Sequence, residues 1–311
     1  MLGGLAHVAL GAEEHLERTV QFYEELLGLV EVARHESTVF LSSGRSSSYD
    51  LAIGPGPAGM DHFAFEVSGV DALGELRAGL VNAGVEVEDV DLEHEHGIAT
   101  GCALVLPSGH QMELMVPERP EVFRGTPTVD LRNAKGSGPV ALEHLTIDCP
   151  DVEAVGRFLV DRLGFRATEV SAPPNGGWFL AFMRTRDLHH DLGLFNNWAF
   201  DGPGFNHVGF TVAGVGDLVR AADAAYRLGH ALHYPIGRHL IGDNVFVYLL
   251  DPAGTRVEIG TPLTGVEIAA PTRWFDASAD SEWRGFDAWN AGDIPEDVRR
   301  AGPCADARAR V

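Results

Sequence analysis

The chain contains the same unit four times, and this repetition limits the fold more than any local propensity does. Residues 61–88, DHFAFEVSGVDALGELRAGLVNAGVEVE, align without a gap on 206–233, NHVGFTVAGVGDLVRAADAAYRLGHALH. Residues 5–32 and 142–169 form a second matching pair, each starting on a strand that carries a histidine. Within a unit, alternation such as His62-Phe63-Ala64-Phe65-Glu66-Val67 has the period of a strand. Val70, Leu73, Leu76 and Leu80 then follow at helical spacing. Leu27-Gly28 and Leu163-Gly164 supply a glycine where a helix would end, because glycine tolerates the left-handed conformation of a C-cap. The unit reads as one strand, one helix and about three further strands, in copies near 5–55, 61–116, 142–197 and 206–261. An α+β fold of four βαβββ modules, paired into two similar halves, is expected.

Residues 117–140 are rich in Pro, Gly and polar side chains and read as a linker. The expected division is an N-terminal domain over 1–120, a linker over 121–140, a C-terminal domain over 141–262 and a tail over 263–311. Trp274, Trp283 and Trp289 suggest that the tail docks on the body as a lid or interface. With 23 basic and 45 acidic residues the formal charge is −22, which argues against nucleic acid and anionic membrane as partners. No run of 18 apolar residues and no export signal is read, and three cysteines without C-x-x-C spacing fit a reducing compartment. A cytoplasmic location is expected.

Each half ends in a turn followed by a glutamate. Glu113 lies 51 residues after His62, and Glu258 lies 51 after His207. With His7 and His144 on the opening strands, the chain contains two His/His/Glu sets. Two imidazoles and a carboxylate suit a divalent ion of borderline hardness, and a facial arrangement leaves positions open for O₂ and a chelating substrate. A lone histidine on a strand is ordinarily a packed or solvated residue. Equivalent positions in a repeat found by other means reverse that presumption here.

Gly237-Arg-His239 through Tyr248 to Asp251-Pro-Ala-Gly-Thr-Arg-Val-Glu258, with Asn206-His207-Val-Gly-Phe and Leu142-Glu-His144 upstream, resembles the two-domain type I extradiol dioxygenases of the vicinal oxygen chelate superfamily. The resemblance covers about residues 5–261. It implies two domains of the glyoxalase/bleomycin-resistance type and an Fe(II) centre held by His144, His207 and Glu258, with Mn(II) as the alternative ion. It further implies His190 as the acid–base group, His239 and Tyr248 as hydrogen-bonding partners of the substrate, and O₂ with a small catecholic compound as reactants. Family habit implies a homo-oligomer, a dimer or a tetramer. At the places of His190, His239 and Tyr248 the N-terminal half has Tyr49, His94 and Ala103. His7, His62 and Glu113 are therefore expected to be a remnant of duplication rather than a second working centre.

Other groups have plainer readings. His189 and His190 are expected to point to opposite faces of a strand, with only His190 inward. Trp178, Leu180 and Phe182 read as core, with the lining of an aromatic pocket as the alternative. Asp243-Asn244, Arg184 and Arg186 read as solvated, and Arg238 as facing away from His239. Two further functions fit the same scaffold: an isomerase, lyase or epimerase acting through an enediolate, or a non-catalytic binding protein. The first does not need the His190, His239 and Tyr248 trio, and the second usually lacks the metal ligands.

Overall fold

Each expected strand–helix–strand run forms, and the four units share one element order. The computed structural model describes residues 1–119, 130, 132, 135–139, 141–173, 176–196, 202–276, 286–290, 295–300 and 302–310. The first unit is β1 (Leu2–Gly11), α1 (Leu16–Phe22, extended by a π turn over Tyr23–Leu27), β2 (Val30–His35), β3 (Thr38–Ser42) and β4 (Leu51–Gly54). The second is β5 (Gly59–Val67), α2 (Val70–Asn82), β6 (Val87–Asp89), β7 (Ile98–Val105) and β8 (Gln111–Pro117). The third is β9 (Ala141–Cys149), α3 (Val152–Leu163), β10 (Arg166–Ser171), β11 (Leu180–Arg184) and β12 (Leu192–Asn196). The fourth is β13 (Gly204–Thr211), α4 (Val215–Leu228), β14 (Leu232–Arg238), β15 (Val245–Leu250) and β16 (Arg256–Gly260). Gly28, Gly164 and Gly229 end three of the helical segments at φ of 82°, 74° and 79°, the left-handed cap that the Leu-Gly pairs foretell.

Inside each unit the first strand pairs in parallel with the last, and the first strands of two units then meet antiparallel. The result is an eight-stranded sheet, β2-β3-β4-β1-β5-β8-β7-β6, and a nine-stranded one, β14-β15-β16-β13-β9-β12-β11-β10-β17, whose last strand β17 (Arg273–Phe275) comes from the tail. This is the α+β architecture of paired βαβββ modules that the repeats predict. The main hydrophobic core runs through both sheets, from Val8, Phe63 and Phe65 to Leu145, Phe165 and Val208. Phe65 and Phe165 meet edge to face at 5.0 Å across the junction of the halves.

The tail docks chiefly through its backbone. The strand β17 extends β10 in parallel, and the Gly302 and Phe205 amides donate to each other's carbonyls at 2.6 and 3.1 Å. Trp274 meets Trp178 edge on, yet Trp274 and Trp289 stay 57% and 56% exposed, so burying these indoles is not what holds the tail. Trp283 lies outside the described residues, as does most of 121–140. Within the latter stretch, the Ser137 and Gly138 amides donate to Leu26 and Leu27 carbonyls at 2.8 and 2.9 Å.

Candidate metal centre

Strand register explains why residues 63 and 51 positions apart in sequence converge. Gly209 on β13 faces His144 on β9 on one side and Glu258 on β16 on the other, so these three form one row across the sheet. His207 precedes Gly209 by two and lies on the same face. Register shifts at Phe205/His207 and Gly209/Phe210 flank the row, and such irregularities re-aim side chains. Gly209 leaves room for the His144 ring: a Cβ built there would come within 2.3 Å of His144 Cε1.

His144 Nε2 lies 3.2 Å from His207 Nε2, and Glu258 Oε2 lies 3.3 Å from the latter and 3.8 Å from the former. Ligand bonds of about 2.1 Å at right angles place donors about 3 Å apart, so these atoms fit one face of a six-coordinate divalent ion. All three residues are buried. Supporting contacts fix the remaining atoms. His207 Nδ1 meets Asn206 Oδ1 at 2.9 Å, and Asn244 Nδ2 donates to Glu258 Oε1 at 2.8 Å, so both ligand atoms stay directed inward. His144 Nδ1 has the Glu143 carboxylate 3.6 Å away.

The electrostatics suit a cation. Burial lowers the His144 pKa, but the Glu143 and Glu258 carboxylates more than offset this and take it up to about 9. Burial, reinforced by His144 and opposed by Glu258, holds His207 well below the ordinary range. Burial pushes Glu258 up, yet the neighbouring imidazoles outweigh it and keep the carboxylate ionised. A bound divalent ion would take the place of the shared proton.

Around this triad stand the other predicted residues. The His190 ring lies 4.7 Å from that of His144, and burial together with the His144 and His189 charges keeps it neutral. Tyr248 pairs with Glu258 in the β15–β16 register, and its hydroxyl is kept protonated by burial and the Glu258 charge. His239 Nδ1 donates to the Phe286 carbonyl, which turns Nε2 toward Glu258 Oε2 at 3.8 Å. Its ring stacks on Phe246 at 3.7 Å.

Several plain readings give way. His189 and His190 lie on a bend before β12, not on a strand, and their Nδ1 atoms meet at 2.8 Å. Both are buried, with His189 Nε2 turned to Glu169 at 3.7 Å. Phe182 lies 4.9 Å from the His190 ring and so lines the site, whereas Trp178 packs beside Gly156 and under Arg157. Arg184 is fully buried and donates to Thr168 Oγ1 at 2.7 Å and to the Glu267, Ile268 and Ala270 carbonyls. Arg186 pairs with buried Asp191. Asn244 is 1% exposed and belongs to the site. Arg238 pairs with Asp243, away from His239 as expected.

Asn244, Gly209 and Arg256 were not legible beforehand. Buried Arg256 donates to the Asn206 carbonyl and side chain and lies over the Tyr248 ring at 5.8 Å. The first half holds a comparable cluster: His7, His62 and Glu113 converge, joined by Glu95. His94, at the place of His239, is instead exposed beside Asp91.

The comparisons with known proteins fit this geometry. Residues 141–259 match the Glyoxalase/Bleomycin resistance protein/Dioxygenase superfamily, and 60–117 match the catechol 2,3-dioxygenase-like N-terminal domain. Residues 141–259 thus carry a domain of that superfamily and residues 60–117 one of the dioxygenase-like N-terminal type, and relatives of the chain are named as extradiol dioxygenases. It is 27% identical over 264 residues to a manganese-dependent 2,3-dihydroxybiphenyl 1,2-dioxygenase of Geobacillus genomosp. 3, spanning 81% of this chain and 83% of the relative. It is 26% identical to a metapyrocatechase of Pseudomonas sp. (strain CF600), spanning 79% of this chain and 81% of the other. The crystal structure of homoprotocatechuate 2,3-dioxygenase from Arthrobacter globiformis superposes with a TM-score of 0.84 at 25% identity, covering 99% of this chain and 94% of that one.

Proposed function

We propose that this chain is an extradiol dioxygenase that opens a catechol-type ring beside its hydroxyls with O₂, at a centre held by His144, His207 and Glu258. The observation that carries the proposal is the meeting of those three donors with His190, His239 and Tyr248 in one largely buried cluster of the second half. An Fe(II) ion, or Mn(II) as the alternative, would supply charge stabilisation and electron transfer between catecholate and O₂. The remaining work falls to side chains. His190, neutral and with Nδ1 engaged by His189, has Nε2 available to accept and return a proton. Tyr248 keeps its proton and so donates to a bound catecholate oxygen. With Nδ1 committed to the Phe286 carbonyl, His239 presents Nε2 toward the centre, where it can hydrogen-bond a substrate hydroxyl. Phe182 and Phe246 exclude water beside these groups.

All three donors proposed for this centre come from the second half, and the trio that an enediolate isomerase does not require surrounds them. We further propose a cytoplasmic homo-oligomer, to be decided by localisation and light scattering; no described helix is long and apolar enough to cross a membrane. The test is oxygen uptake and yellow product formation by anaerobically Fe(II)- or Mn(II)-loaded protein on unsubstituted, 3-substituted and carboxylated catechols. His190→Phe should keep its metal and lose turnover by at least about 100-fold. Loss of metal from that variant would make His190 a ligand, and a silent panel with full metal content would refute ring cleavage.

A further inference from the structure

The first half repeats the register of the centre with different supporting residues. His7 faces Ala64, which faces Glu113, and His62 lies two residues from Ala64 on β5, as His207 lies two from Gly209. The His7 and His62 rings meet edge on at 5.6 Å, close to the 5.3 Å of His144 and His207. His62 Nδ1 is held by Asp61 Oδ2 at 2.9 Å, the role Asn206 plays for His207. Gln111 Nε2 donates to Glu113 Oε1 at 3.0 Å, the role Asn244 plays for Glu258. In both halves, then, outer groups occupy one atom of the imidazole and one of the carboxylate and direct the other inward. The inward atoms here, His62 Nε2 and Glu113 Oε2, stand 3.7 Å apart, and both lack a hydrogen-bond partner. Glu113 is 4% exposed, and a buried carboxylate oxygen that no hydrogen-bond donor meets is costly, a cost that a cation bound between it and His62 would offset.

One difference decides the kind of site. Glu95 joins the cluster, and the donor atoms of His7, His62, Glu95 and Glu113 all lie within 4.8 Å of one another. Tyr49 donates to Glu95 Oε2 and stacks on His7 at 4.4 Å, so the fourth donor, the Glu95 carboxylate, is oriented by a neighbour as His62 and Glu113 are. Four protein donors close a coordination shell, whereas three leave it open to reactants. We infer that His7, His62, Glu95 and Glu113 form a second, structural site for a divalent transition-metal ion, separate from the centre in the other half. The ion ties the loop before β7 to strands β1, β5 and β8. With no open position, Tyr49 at the place of His190 and Ala103 at the place of Tyr248, this site does not turn over substrate.

The test isolates this site in the full-length chain. His207→Ala/Glu258→Ala removes two of the three C-terminal ligands; the chain is stripped with chelator, titrated anaerobically with Zn(II) alone and freed of excess ion. Metal per chain is then measured, and melting is followed with and without Zn(II). Expected are two equivalents in the parent, one in the double variant, and none once His62→Ala or the near-isosteric Glu113→Gln is added. Zn(II) should raise the melting temperature of the double variant and leave the triple variants unmoved. Circular dichroism and chelator-treated melting that match the double variant would show that the triple variants are folded. A parent that takes up one equivalent or none overturns the inference. So does an equivalent in the double variant that survives both added substitutions. Metal content reads this site separately from ring cleavage, so failure of either reading leaves the other to its own data.

Discussion

Gly209 shows how much of a candidate metal centre can rest on a residue that is not itself a donor. It sits between His144 and Glu258 in the row across β9, β13 and β16, and an added methyl would meet His144 Cε1 at 2.3 Å. Gly209→Ala should therefore turn the imidazole away and weaken metal affinity about 10- to 100-fold, the usual effect of disturbing a ligand's support. Equilibrium dialysis of the variant checks this, and unchanged affinity would mean that the sheet yields instead. In the first half the equivalent Ala64 faces His7, whose ring lies against Tyr49 instead. The fold brings each of the two candidate ligand sets together, and those sets were legible, because their spacing recurs in the repeat. Asn244 was not: it reads as a loop residue, and only the return of β15 alongside β16 brings its amide to Glu258.

Among the elements, the tail segment around Asp287 reaches furthest into function. Asp287 Oδ1 accepts the Arg238 and Trp289 amides at 3.0 and 2.9 Å, which pins the segment to β14 and places the Phe286 carbonyl on His239 Nδ1. Asp287→Ala should cost about 1 kcal/mol of stability. It should also raise KM for the catechol several-fold while metal content stays at the parent value, because His239 loses its fixed tautomer while the triad is untouched. A variant with unchanged KM would show that β14 and Phe246 alone orient His239. The four βαβββ units were readable from period-two alternation and Leu-Gly helix ends. That the tail docks was suggested by its tryptophans, but its mode of docking was not readable, since the tail engages the body largely through backbone groups, which every residue type carries.

Between the halves, continuity is maintained by buried polar contacts as well as by the shared core. Tyr23 donates to Asp251 at 3.1 Å, His110 Nε2 donates to the Gly204 carbonyl at 2.9 Å, and the Leu142 amide donates to the Asp50 carboxylate. Burial raises the Asp50 carboxyl to about 6, against about 3.9 in an unfolded chain. A folded pKa above the unfolded one means that the stability from this group is fully present below about pH 4 and is lost as pH rises through about 6. The stability difference between Asp50→Asn and the parent should thus shift in favour of the variant by roughly 3 kcal/mol between pH 4 and pH 7.5, on top of any constant offset. Urea denaturation at both pH values measures it, and a difference independent of pH would mean that Asp50 titrates normally. From the repeats alone came the α+β class, the four units and both His/His/Glu sets, because strand period and equal spacing are properties of the chain in one dimension. The tertiary structure decided what surrounds them. Which amide turns a carboxylate inward, which glycine makes room for a ring, and that Glu95 rather than His94 completes the first cluster all depend on strand register and loop return, which bring together residues with no regular spacing in sequence.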